Sequence, residues 1–414
     1  MTAPGEDRLI YDWAVAGGTA PPPRTAMLDD ETLRDGLQSP SVTDPSVEAK
    51  VEILHLMNGL GIETADIGLP GAGPRQREAV ERLCREIGDH RLRIRANCAA
   101  RTVIADIQPI ADAVQKTGVP IEACIFIGSS PIRQYAEEWG IDRILRHTEE
   151  AVRFAVAEGL EVMYVTEDTI RANPDDLRLL LTAAVRAGAK RLCLCDTVGA
   201  AVPQGVRNLV TWTAQLLVEL GVADRVGIDW HGHRDRGLDV ANSLAALEAG
   251  ATRAHGTALG VGERVGNTPI ELLLVNLKLL GWRNDDLTTL PQYSDAVSRA
   301  VGVPVPANWP VVGRDAFRTA TGVHAAAVVK AQKKGAAWLA DRVYSGVPAS
   351  WVGRTQEIEV GHMSGGSNVL HYLRARGLPT DQVVVDAVMA VAKRSERLLT
   401  EQEIADIVQA ASQR

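Results

Sequence analysis

The strongest constraint in this sequence is a repeated unit: a short β-prone run, a loop containing Gly, Pro, Asp or Asn, then an amphipathic helix. Eight such runs follow one another from Thr25: TAMLDD, IETADIGL, RLRIRANC, IEACIFIG, LEVMYVTE, RLCLCDTV, RVGIDWHG and TRAHGTALG. Helical stretches such as PSVEAKVEILHLMNGL, PRQREAVERLCREIG, IDRILRHTEEAVRFAVAEG and PDDLRLLLTAAVRAG lie between them. Eight alternations over roughly 250 residues have the pattern and size of an α/β protein of the (β/α)8 TIM-barrel type. A doubly wound open sheet is the competing arrangement. It loses ground because no G-x-G-x-x-G follows the first strand.

The alternation stops after the helix IELLLVNLKLLGW, which divides the chain into an N-terminal arm (1–24), a barrel (25–285) and a mainly α-helical C-terminal region (286–414). Pro21, Pro22 and Pro23 close the arm and stiffen it into an extended spacer. Near the end, Thr400 and Glu403 stand in capping-box spacing ahead of IADIVQAA. A net charge of -8 with no block of Lys and Arg gives no footprint for nucleic acid or anionic lipid. No apolar run approaches membrane-spanning length, so a membrane partner is not expected. The N-terminal MTAPGEDRLIYDW lacks the basic and apolar segments of a secretory signal. Cys84, Cys98, Cys124, Cys193 and Cys195 are too scattered for a disulfide framework and read as reduced, buried thiols in a cytoplasmic protein.

In such barrels reactive groups sit at the C-terminal ends of the strands. There the first strand runs into Arg34 and Asp35, the fifth ends at Glu167 and Asp168, and the sixth at Asp196 and Thr197. The seventh ends in His231 and His233, whose spacing of two turns both imidazoles to one side of an extended backbone. The eighth leads into GVGERVGN, with Glu263, Arg264 and Asn267. Each has an ordinary structural use: Arg34 with Asp35 as a surface ion pair, Glu167 as a charge at a helix start, Asn267 as a turn former before Pro269. Their coincidence at one rim points to a site. A mixed Asp, His, His set suits zinc, manganese, magnesium or iron, and the residues do not choose among them.

Taken in order, LRDGLQSP, TED, CDTVG, HGHRDRGLDVANSLAALEAGA and GERVGN resemble the DRE-TIM metallolyases, and within them the Claisen-condensing branch of 2-isopropylmalate synthase and homocitrate synthase. The resemblance covers about residues 25–375. It implies an acyltransferase that condenses acetyl-CoA with a 2-oxo acid, giving a 2-hydroxy-2-alkyl dicarboxylic acid and CoA. It implies a divalent metal (Mg, Mn or Zn) on Asp35, His231, His233 and Asn267. Arg34 would stabilise enolate and alkoxide oxygens, Glu167 would support proton transfer, and Thr197 would hydrogen-bond the substrate carboxylate. In the C-terminal region, TGVH supplies His324 and a later tyrosine is Tyr344; in the family such a pair typically reaches the partner subunit, which implies a homodimer.

The chain departs from its better-known relatives at substrate positions. Homocitrate synthases commonly carry an arginine where this chain has Met163; with Val165, this favours an apolar substituent over 2-oxoglutarate. Arg133, with Arg95 and Arg171, is kept as a candidate for an anionic group. No leucine-type regulatory domain is expected in the C-terminal region. The alternative is a lyase of the hydroxymethylglutaryl-CoA type, although GVGERVGN lacks the loop cysteine such lyases use.

Overall fold

Eight parallel strands close on themselves in sequence order: β1 (Met27–Asp30), β2 (Thr64–Asp66), β3 (Arg95–Arg101), β4 (Ile121–Gly128), β5 (Glu161–Glu167), β6 (Arg191–Asp196), β7 (Gly227–Gly232) and β8 (Arg253–Gly256). The seam pairs Met27 with Arg253 and Asp29 with His255. This computed structural model describes residues 5–13, 23 and 25–413. Most of the arm expected over 1–24, including Pro21 and Pro22, lies outside the described residues; within it, Glu6–Leu9 form a helical turn.

Each helix between strands begins and ends where local chemistry dictates. Ser46 and Asn173 accept from the backbone N–H of Ala49 and Asp175, capping the helices Val47–Gly59 and Pro174–Ala187. Prolines open the helices starting at Pro74, Pro131, Pro174 and Pro203, where a missing N–H leaves nothing unpaired. Outward-facing strand residues such as Leu28, Ile125, Leu192 and Trp230 are buried beneath these helices.

The inside of the barrel is different, because it is laced with ion pairs instead of filled with branched aliphatic layers. Arg253 reaches from β8 to Asp229 on β7 (2.6 Å) and across to Glu122 on β4 (2.6 Å). Arg191 holds the other oxygen of Asp229 at 2.7 Å, and Asn97 donates to Asp29 at 2.7 Å. Burying charges is tolerable only with such mutual pairing.

Contacts divide the described chain into two compact units, the barrel unit running to Val305 and the other combining the chain from Pro306 onward with the described N-terminal residues 5–13. The reading that ended the barrel at residue 285 therefore differs from the structure by one helix. Leu290–Val301 packs onto the barrel: Tyr293 on it donates to Asp30, and Val301 O accepts from Thr43 N–H at 2.8 Å. The second unit holds the helices Gly322–Lys333, Ala337–Arg342, Gly366–Ala375, Gln382–Ala392 and Glu401–Ser412. Val369, Tyr372, Leu373, Val388 and Ile404 form its core, and the Thr400/Glu403 capping box is made. It also contains a two-stranded parallel sheet, Arg318–Thr319 with Glu357–Ile358. Runs of two residues carry no periodicity that a sequence could reveal. Among the described residues, no helix is long and apolar enough to cross a membrane.

Candidate active site

The loop after β1 turns tightly over Glu31, whose carbonyl accepts from Arg34 N–H (3.1 Å) and Gly36 N–H (3.0 Å). That turn aims Arg34 and Asp35 into the mouth of the barrel. Arg34 donates from Nε to Asp66 on β2 (2.6 Å) and from Nη1 to Asp35 (2.5 Å). Its guanidinium is thus fixed by one carboxylate on β2 and one in its own loop, and despite the burial that opposes charge they hold its ionisation well above the usual range.

Across the mouth, β7 delivers both histidines. His231 Nε2 and His233 Nε2 lie 4.0 and 3.8 Å from Asp35 Oδ2, and one donor atom from each of the three residues falls within 4.8 Å of the others. All three residues are buried. The loop GVGERVGN brings in Asn267, whose Nδ2 donates to Asp35 Oδ2 while its Oδ1 is buried with no hydrogen-bond partner. Gly266 makes that loop possible: at φ +102°, a Cβ there would stand 1.7 Å from Gly260 O.

The two imidazoles have opposite electrostatics. Burial and the charge of His231 push His233 down to about 4, so it is neutral with a free lone pair. Burial also opposes the charge of His231, yet Glu31, 2.7 Å from its Nδ1, raises it to about 9. This donor set fits a divalent cation. The carboxylate and both imidazoles converge with oxygen and nitrogen chemistry, their spacing leaves room for an ion between them, and Asn267 Oδ1 is a buried polar atom lacking a partner.

Glu167, at the end of β5, faces the same mouth with its carboxyl raised, chiefly by burial, against the opposing pull of Arg133 and Arg34. Thr197 accepts from Asp168 N–H through its hydroxyl oxygen (2.8 Å), which leaves the hydroxyl proton free to donate. Asp168 itself is tied up by Ser130 and by Arg171 (2.7 and 2.8 Å) and acts as a loop brace. Beneath the polar rim the cavity is lined by Ala99, Cys124, Phe126, Met163, Val165, Cys193 and Cys195.

Of the three arginines considered for an anionic substituent, none lines this cavity; Arg133 lines a neighbouring one that shares Phe126 and Glu167, with Nη2 3.7 Å from Glu167 and 3.3 Å from Glu137. Arg171 is taken by Asp168, and Arg95 begins β3 at the opposite mouth of the barrel, paired with Glu161. In the second unit, His324 and Tyr344, twenty positions apart, stack with ring centroids 4.2 Å apart.

The sequence reading passed over Glu31 and His255. Glu31 lies between His231 and His255 Nδ1 (2.9 Å), and His255 Nε2 faces Asp229 (3.0 Å). Burial opposes the charge on His255, yet Cys193 together with Glu31, Asp29 and Asp229 raises it well above the usual histidine range. The one available signal was an acidic residue two positions beyond Asp29, just past the end of the first strand and in phase with its inward-facing set.

Comparison with known proteins gives the chain its relatives. Residues 26–297 match the family described as HMGL-like. The chain is 31% identical over 395 residues to homocitrate synthase AksA of Methanopyrus kandleri, spanning 93% of this chain and 92% of that one. It is 31% identical over 367 residues to 2-isopropylmalate synthase of Sulfolobus acidocaldarius, spanning 88% and 89%. Among solved structures, an HMG-CoA lyase of Bacillus subtilis superposes with a TM-score of 0.57 at 21% identity, covering 70% of this chain and 97% of that one, a likeness of fold alone.

Proposed function

Because the chain belongs to the HMGL-like family, we propose that its barrel mouth is the active centre of a condensing acyltransferase. The enzyme joins acetyl-CoA to a 2-oxo acid and releases CoA. The observation that carries this reading is the meeting of Asp35, His231 and His233 beside the fixed guanidinium of Arg34, in a chain aligned nearly end to end with condensing synthases.

Asp35, His231 and His233 would hold a divalent metal, with Asn267 as a further ligand through Oδ1. Bound there, the cation would supply Lewis-acid polarisation of a keto group. Arg34 presents a preoriented positive charge to the oxygens on which negative charge grows as the new carbon-carbon bond forms. Thr197 donates its free hydroxyl proton to the carboxylate of the 2-oxo acid. Glu167, raised by burial, supports transfer of the acetyl methyl proton. Water then cleaves the thioester.

His324 and Tyr344 are assigned to proton transfer on the family resemblance, supplied to a second copy's barrel in a homodimer. A cytoplasmic setting suits the five buried, unbridged cysteines.

The substrate class follows from the cavity floor. Met163, Val165, Phe126 and the thiols of Cys124, Cys193 and Cys195 offer no hydrogen bond suited to a distal carboxylate, and Arg133 and Arg253 are each paired with carboxylates. The favoured 2-oxo acid therefore carries an apolar substituent. The test is free-thiol release from acetyl-CoA with added Mn2+ across a panel of 2-oxo acids. Release with 2-oxo acids bearing alkyl side chains and little with 2-oxoglutarate is expected. No release with any of them overturns the reading, and acetoacetate formed from hydroxymethylglutaryl-CoA would put a lyase in its place.

A further inference from the structure

Two buried clusters share one imidazole. Toward the mouth, His231 offers Nε2 to the group with Asp35 and His233; toward the barrel floor, it offers Nδ1 to a group with Glu31 and His255. The two differ in spacing. Separations of 3.8 and 4.0 Å in the upper group leave room for an ion, whereas the lower contacts, 2.7 and 2.9 Å, are already at hydrogen-bond length. The lower group is therefore a chain of close polar contacts: His255 is hydrogen-bonded to Glu31 and Asp229, and Glu31 Oε2 meets His231 Nδ1 as an ion pair at 2.7 Å without hydrogen-bond alignment. His255 Nε2 faces Asp229 Oδ2 at 3.0 Å, its Nδ1 faces Glu31 Oε1, and the other Glu31 oxygen faces His231 Nδ1. Asp229 is anchored in turn by Arg253 and Arg191. His233 has no such support: its Nδ1 is buried without a hydrogen-bond partner.

We propose that Glu31 is a positioning residue that pairs with the Nδ1 edge of His231 and so turns its Nε2 edge to the metal, with His255 and Asp229 fixing Glu31 in place. A carboxylate behind a ligating imidazole sets the ring's tautomer and orientation and makes it a better donor. Glu31 reaches His231 because the first strand lies beside the eighth, so a side chain just past β1 and one on β8 meet beneath a histidine of β7. The inference rests on the ligand set proposed above, but its readout does not depend on the condensation reaction.

The experiment is titration of the metal-free, full-length protein with Mn2+, followed calorimetrically, for the wild type and for Glu31→Gln, Glu31→Ala and His255→Gln. Glu31→Ala is expected to weaken Mn2+ binding by about 10–100-fold, and His255→Gln by about tenfold or less, since it acts one step further away. Glu31→Gln keeps the shape and an acceptor oxygen and should fall between wild type and Glu31→Ala. If Glu31→Ala does not fold, the isosteric Glu31→Gln carries the test alone. Affinity unchanged in Glu31→Gln and in every other variant that folds overturns the positioning role while leaving the ligand set intact. A wild type that binds no Mn2+ overturns the ligand set and this role together. Loss of thiol release with metal binding intact in the wild type counts only against the condensing reaction.

Discussion

His231→Ala deletes a donor that no neighbouring side chain replaces, and it is expected to abolish both Mn2+ binding and thiol release. His90, 58% exposed and resting against Glu86, has no route to the site, so His90→Ala should leave both within about twofold. Met163 sits at the cavity floor between Cys124 and Cys193, with its sulfur 3.2 Å from Arg253 Nη2. Met163→Ala should shift preference toward 2-oxo acids with longer side chains while costing roughly 2–5 kcal/mol of stability, measured by denaturant titration. Much of the rim was legible before any coordinates, since the i, i+2 histidines and the run of polar residues at strand ends follow from backbone geometry. Glu31 and His255 were not, because their meaning lies in the register of β1 against β8, which no local pattern records.

The strands and helices of the barrel were legible for the same physical reason: each repeat switches from a period of two to one of 3.6. Leu290–Val301 was legible as a helix but not as part of the barrel, because an amphipathic helix does not announce which surface its apolar face will cover. That helix also sets up a pH response. Burial raises the Asp30 carboxyl to about 7, against the hydrogen bonds from Thr32 and Tyr293. A raised carboxyl binds its proton more tightly in the folded chain, so its contribution to stability is fully present below the unfolded value of 3.8 and is lost as pH rises through about 7. Asp30→Asn should therefore flatten the decline in stability between these values, a change on the order of a few kcal/mol visible in urea midpoints taken at several pH values. In the loop after β8, Gly266→Ala forces a Cβ against Gly260 O. It should displace Asn267 and weaken Mn2+ binding, and it should lower stability by about 3 kcal/mol or more.

At the scale of the whole molecule, each unit carries its own apolar core, and the proposed chemistry draws on both: ligands from the barrel, His324 and Tyr344 from the second unit. In a twofold homodimer with sites shared between copies, a mixture of His231→Ala and His324→Ala subunits contains dimers with one intact site. Each variant alone should be inactive, and mixing after subunit exchange should restore about a quarter of wild-type thiol release. No recovery would place each site within a single chain. Beneath the mouth lie Arg191, Asp229, Arg253 and Glu122, each a counterion of the next. Neutralising any one of them strands a charge in a dry interior. Descendants of this sequence can therefore alter that lattice only through paired, simultaneous replacements. The floor should drift slowly over generations while the apolar walls above it remain open to stepwise change, and with them the choice of substrate.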